Sequence, residues 1–193
     1  MRRTNASPTE QEAAILKAAA EEVGLVGVGR LSMEVVARQA GVSRSTLYRR
    51  FPSREALVTE LGRQTFEFAM ARLQTVGIGS GPQEAAVAAF REGVRLLVGE
   101  PVMRRFLQLD GDFTAMTQMF DEARIFLNSA ATAMAKALRS AGATMPDDDL
   151  LAVSELHIRL AVSLVQVSTA VLDVTDDGAV DAYARTHLAP LVR

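Results

Sequence analysis

The densest run of side chains able to do chemistry lies between Ser43 and Arg54. Ser43, Arg44, Ser45, Thr46, Tyr48 and Arg49 fall within one short stretch, and Arg54 follows soon after. Hydroxyls, a phenol and guanidinium groups at this density are donors for phosphate oxygens and for the donor and acceptor edges of bases. From Arg30 to Arg54 there are six arginines (30, 38, 44, 49, 50, 54) against one acid, Glu34, in a chain whose formal net charge is −2. Phosphate neutralisation depends on where the cations sit, so an acidic total does not exclude a nucleic-acid partner. An arginine run alone is no more than a solvated face, and the elements that hold it must decide.

Those elements are legible from caps and breakers. Pro8, with Glu10 and Glu12 behind it, suits a helix start, and Ala14, Ile15, Ala18, Ala19 and Val23 recur at helical spacing to Gly24 and Gly27. Ser32 caps a short helix over 33–40, and Gly41 supplies the positive φ of a turn. Ser43 caps a third helix, 44–51, which Pro52 ends. Two short helices joined by Ala40-Gly41-Val42-Ser43 make a helix-turn-helix. Val36, Val42, Leu47 and Phe51 point inward, leaving the polar side of the third helix outward. A recognition helix reads the major groove with its N-terminal residues, which makes Arg44 the guanine contact and Thr46 a contact to a thymine methyl or a phosphate. Tyr48 and Arg49 are better placed for the sugar-phosphate backbone, and Arg54, at the start of the next helix, for clamping a phosphate.

The segment LSMEVVARQAGVSRSTLYRRFPSREAL, residues 31–57, resembles the DNA-binding signature of the TetR family, with cap, turn glycine, Leu-Tyr-x-x-Phe, short loop and basic helix start in order. The similarity extends in organisation over roughly the first 75 residues. Arg49-Arg50 before Phe51 is more basic than in many members, which strengthens non-specific binding. The resemblance implies a variable helical body, a ligand cavity within it, and homodimerisation through the last two long helices as a four-helix bundle.

The body has its own pattern. Ser53 caps a long amphipathic helix with Leu57, Leu61, Phe66, Phe68, Met70 and Leu73, which reaches the glycine-rich stretch 76–82. Further helices are expected over 83–98, 102–109, 113–141, 147–174 and 179–188, with Asp110-Gly111-Asp112 as a turn. Between Leu150 and Val174 apolar residues surround the wheel, so one side remains for a partner. Phe66, Met70, Phe90, Met103, Phe106, Met116, Met119, Phe120 and His157 are the candidate walls of an apolar pocket, since methionine and phenylalanine adapt to flat or greasy molecules. Each is also ordinary core chemistry, and His157 and Gln166 read first as core or interface residues and second as effector contacts. Asp110, Asp112, Asp121 and Glu122 could suggest a metal site or a catalytic carboxylate pair, but Asp110 and Asp112 sit at a helix start where capping explains them.

The expected fold is all-α, about nine helices, with a three-helix helix-turn-helix domain over 1–52 and a helical ligand-binding and dimerisation domain over 53–193. No Glu-x-x-His, His-Glu-x-x-His or glycine-rich phosphate loop occurs and cysteine is absent, so no enzyme, metal or cofactor is expected. Lys17, Glu21 and Glu22 break the first apolar stretch, unlike a secretory leader, and Glu155, His157, Arg159 and Gln166 break the most apolar helix, so a cytoplasmic location without a membrane span is expected. The expected function is a repressor that binds a palindromic DNA operator as a homodimer and is released by a small apolar or aromatic effector. An activator or an effector-blind repressor would show the same motif, and a helical enzyme or carrier with a vestigial DNA-binding unit is the reading from another class.

Overall fold

The computed structural model describes residues 7–77, 79–107, 113–167 and 170–193, without the side chains of 107, 113–124 and 126. Among the described residues there are nine α-helices and no strand. Helix α1, Pro8–Val26, opens with a reciprocal cap: the Ser7 hydroxyl accepts from the Glu10 N–H at 3.2 Å, and the Ser7 N–H donates to the Glu10 carboxylate at 2.6 Å. After a single 3-10 turn, Val28–Arg30, come α2, Met33–Gln39, and α3, Arg44–Arg50. The turn between them closes through Gly41 at φ 68°, whose N–H donates to the Arg38 carbonyl while the Val42 N–H reaches the Ala37 carbonyl at 3.0 Å. This double bond is the glycine-dependent helix stop in which both final carbonyls are satisfied.

Helix α4, Arg54–Gln74, leaves the N-terminal unit and runs into the body, which continues with α5 (Pro82–Gly99), α6 (Pro101–Leu107), α7 (Phe113–Ser140), α8 (Asp147–Gln166) and α9 (Asp177–His187). Helix α7 ends as α2 does, at Gly142 with φ 101°. The Arg139 guanidinium ties the α7–α8 loop to itself, donating to the Ala143 and Met145 carbonyls and pairing with Asp147. Along α5 and α9 three ion pairs, Arg185–Glu84, Arg91–Asp181 and Arg95–Asp177, fix the register of the two helices.

The apolar residues gather in three cores. The first joins Ile15, Leu16, Ala19 and Val23 of α1, Val36 of α2, Leu47 of α3, Phe51, and Leu57 and Leu61 of α4. It also takes Val102 of α6, with Phe106 packed against it. The second holds Ala69, Val87, Phe90, Val94, Met103, Ala161, Val180 and Ala184, and the third Ala85, Ala86, Met134, Leu138, Leu150 and Val192. Helix α6 therefore places consecutive residues, Val102 and Met103, in different cores.

Two differences from the sequence pattern have physical reasons. Gly24 lies within α1, which continues to Val26, and its bare Cα lets the Pro101 ring approach: an added Cβ there would stand 3.3 Å from Pro101 Cβ. Helix α8 stops at Gln166, with Val167 already extended, rather than near Val174. The run after Leu164 is rich in β-branched residues that lose side-chain freedom in a helix, and the chain instead folds back to bury Leu172 in the second core. The expected turn at Asp110-Gly111-Asp112, with the last two residues of the expected 102–109 helix, lies outside the described residues.

Gly77 and Gly79 both hold positive φ, 75° and 82°, but an added Cβ on Gly77 would stand 2.7 Å from Ala85 Cα, whereas Gly79 faces open space. Gly79→Ala is expected to cost about 1 kcal/mol from backbone strain alone, and Gly77→Ala at least ~1 kcal/mol more from the clash. Urea titration of both variants checks this; equal losses would mean that Ala85 yields freely.

Candidate nucleic-acid interface and interior cavity

Helix α3 is seven residues long and is held from beneath by Leu47, which is fully buried, and by Phe51. Its other side carries Arg44, Ser45, Tyr48 and Arg49, all exposed, with Tyr48 an exposed aromatic ring at 48%. The structure thus brings Ser43, Arg44, Ser45, Thr46, Tyr48 and Arg49 together on or beside one short helix. Ser43 is spent on positioning: its hydroxyl accepts from the Thr46 N–H at 3.1 Å and lies 2.9 Å from both the Ser45 and Thr46 hydroxyls. That network fixes the first turn of α3 and leaves its remaining backbone N–H groups at the positive helix end.

Of the arginines expected to contact DNA, Arg44 and Arg54 are engaged within the protein. Arg44 pairs with Glu34 of α2, both well exposed. Arg54 donates through Nη1 to the Gly29 carbonyl at 2.8 Å and lies 3.5 Å from Glu55, so it ties the 3-10 turn to the start of α4. The Glu34 partnership was not legible in the sequence, because it spans two helices whose relative placement comes from the turn at Gly41.

A second feature is a cavity of about 50 Å³ among α4, α5, α6, α7 and α8, lined by Leu73, Phe90, Leu97, Met103, Met134, His157 and Ile158 with alanines 69, 89, 130, 137 and 161. His157 is the polar side chain in this lining. Its Nδ1 lies 2.7 Å from the Val153 carbonyl, and a carbonyl only accepts, so Nδ1 carries the proton. Phe90 meets its ring edge-on at 6.4 Å. Burial holds the imidazole below its ordinary pKa, against the smaller opposing effect of the Val153 bond, and keeps it neutral.

Of the expected pocket residues, Phe90, Met103 and His157 line the cavity. Phe106 does not: it packs on the N-terminal core, where its ring lies 3.3 Å from the Cβ position of Gly62. Phe66 and Met70, on α4, stand outside the lining, and the side chains of Met116, Met119 and Phe120 fall outside the described residues. The alanines and Gly93 were missed, because small residues signal space only once their neighbours are known. Among the described residues no cluster of three or more metal-binding side chains occurs, and no helix is long and apolar enough to cross a membrane.

Residues 15–61 match the family described as bacterial regulatory proteins, tetR family. Among curated proteins none matches the sequence. Solved structures share the fold over nearly the whole chain. One, from Mesorhizobium loti and described as a TetR-family transcriptional regulator, aligns with a TM-score of 0.74 at 15% identity over 97% of each chain. A transcriptional regulator of the TetR/AcrR family from Thermobifida fusca aligns at 0.64 and 14% identity over 92% of this chain and 98% of its own. A structure concerned with the control of antibiotic production by a bacterial hormone aligns at 0.66 and 19% identity over 95% and 98%.

The depressed pKa of His157 gives the pH dependence a definite sign. Above about pH 6.5 the ring is neutral folded and unfolded. Below it the unfolded chain takes up a proton that the folded chain refuses, so stability falls as pH falls, by at most about 1.4 kcal/mol per pH unit, until the folded-state pKa is reached. The decline in unfolding free energy from pH 7 to 5 is expected to be steeper in the wild type than in His157→Gln, measured by urea titration; parallel profiles would show that the ring titrates normally.

Proposed function

We propose that the chain, whose residues 15–61 match the tetR family of bacterial regulatory proteins and whose fold is shared by solved TetR-family regulators, is a repressor binding a palindromic operator as a homodimer and released by a small apolar effector. The observation that carries the DNA reading is α3 itself: a helix with Leu47 sealed beneath it and Arg44, Ser45, Tyr48 and Arg49 facing outward. Arg44 reads a guanine, Thr46 a thymine methyl or a phosphate, Tyr48 and Arg49 the backbone, and Ser43 holds the helix end toward the groove. Arg54 serves the interface first through Gly29, by fixing α4 beneath it, and reaches a phosphate only if that bond is exchanged. An exposed pair such as Arg44–Glu34 is worth about 0–1 kcal/mol, so a guanine edge competes with it successfully. We assign DNA binding to residues 1–52 and ligand binding and dimerisation to 53–193, with α4 physically shared.

Two features support the remainder. Helices α7 and α8 pack on each other, and Leu151, Ala152 and Leu156 on α8 and Ile125, Asn128 and Thr132 on α7 are exposed, surface that a second copy could cover. The cavity touches α6 through Met103, and α6 touches the DNA-binding core through Val102 and Phe106. An effector that seats itself better when α6 is displaced shifts the population toward that state, and a thousandfold loss of operator affinity needs about 4 kcal/mol of such preference. Helix α4, packed on Phe106 at Gly62, transmits the displacement and resets the spacing of the two recognition helices.

Fluorescence anisotropy against the upstream intergenic DNA and a scrambled duplex, at two salt concentrations, tests the DNA reading. Arg44→Ala is expected to weaken operator binding by about 1–3 kcal/mol, Tyr48→Phe to weaken it less, and Glu34→Gln to strengthen it by freeing Arg44 and removing an acid near phosphate. Unchanged affinity in all three, with helicity intact, would overturn the docking. Leu156→Glu is expected to convert the dimer to monomer in light scattering; a persistent dimer would place the interface elsewhere.

A further inference from the structure

One residue of the cavity lining carries a polar atom without a partner. His157 is 1% exposed, its Nδ1 is engaged with Val153, and its Nε2 is buried with no hydrogen-bond partner among the described residues. Since Nδ1 holds the proton, Nε2 is a bare lone pair, an acceptor in want of a donor. The described lining offers none: the neighbouring side chains are aliphatic, aromatic or thioether, with no hydroxyl, amide or cation among them. Native structures rarely leave such a group unmatched, and a bound group that supplies the missing donor is one of the recognised reasons where one persists. The ring is also held in place, by the Val153 bond on one edge and by Phe90 at 77° to its plane.

We propose that the cavity takes a small, largely apolar molecule bearing a single hydroxyl, which donates to Nε2 of His157, and that carboxylates are excluded. This rests on the reading of the cavity as the effector site. The exclusion follows from the same atoms: an anion would set its oxygens against a lone pair, and no cation lines the described walls to compensate its desolvation. Size points the same way. At about 50 Å³ the space is well short of the roughly 150 Å³ that holds a benzene ring, so a single ring is the largest occupant and enters only as the unbranched side chains of Met103 and Met134 repack around it. Glu92 of α5 is no competitor for the lone pair, being turned to Arg72 at 2.6 Å and absent from the lining.

The test is calorimetric titration of DNA-free full-length protein with phenol, anisole and benzoate. Phenol and anisole share a ring and differ by the donor. The wild type is expected to prefer phenol by roughly tenfold or more and to ignore benzoate, while His157→Leu is expected to bind the two neutral compounds within about twofold of each other, since the lone pair is gone. Should the variant fold poorly, the wild-type Nε2 nitrogen resonance serves instead: it is expected to shift on adding phenol and to stay with anisole. Equal affinity for phenol and anisole, binding of neither, or preference for benzoate would each overturn the proposal. Because no DNA is present, these results are independent of operator affinity; loss of operator binding in the anisotropy assay would reject the regulatory reading and leave the ligand chemistry standing.

Discussion

A helix of seven residues is unstable in isolation, because nucleation fixes several residues before the first bonds repay it. Everything that α3 presents to a partner therefore depends on the burial of Leu47 in the core that also holds Ile15, Val23, Val36 and Leu57. That one seat sets the direction in which Arg44, Tyr48 and Arg49 project, and it ties them to α1 and α4 rather than to α2 alone. The cap at Ser43 and the stop at Gly41 then remove the remaining freedom at the two ends of the turn. The outward face is free to be polar because the inward face is complete.

The body answers to the same economy of contacts. Helix α6 is also only seven residues long, and its consecutive Val102 and Met103 belong to the N-terminal core and to the cavity wall. A short helix packed on two sides moves as a piece, so a change of volume on the Met103 side is felt at Val102 without any long-range pathway. The three ion pairs between α5 and α9 do the opposite work, holding the far wall of the body in register.

Local chemistry made the N-terminal half readable in advance. Ser32, Ser43 and Ser53 each cap the helix that follows, and Gly41 adopts the conformation that only its type accepts easily. The reciprocal Ser7–Glu10 cap carried its own signature and was passed over in favour of Pro8. The body was harder for a physical reason. An apolar residue on a short helix between two cores does not declare which core it joins, which is why Phe106 was expected in the pocket and lies in the other interior. Apolar residues around the whole of α8 masked its end at Gln166, since the wheel pattern continues where the hydrogen bonding does not. A cavity walled by alanines is a tertiary fact, set by what those alanines fail to fill.

Gly62 gives α4 a bare stretch of backbone where the Phe106 ring lies against it. Helices locked by interdigitating ridges resist relative sliding, because each side chain must climb out of its groove. A flat ring on a smooth backbone has no such teeth. The junction between the N-terminal unit and the body is in this respect a bearing: it transmits load along its normal, from α6 into α4, while opposing little friction to shear. A chain built to hold two arrangements of the same parts would place such a surface where the arrangements differ, and here it stands between the two cores.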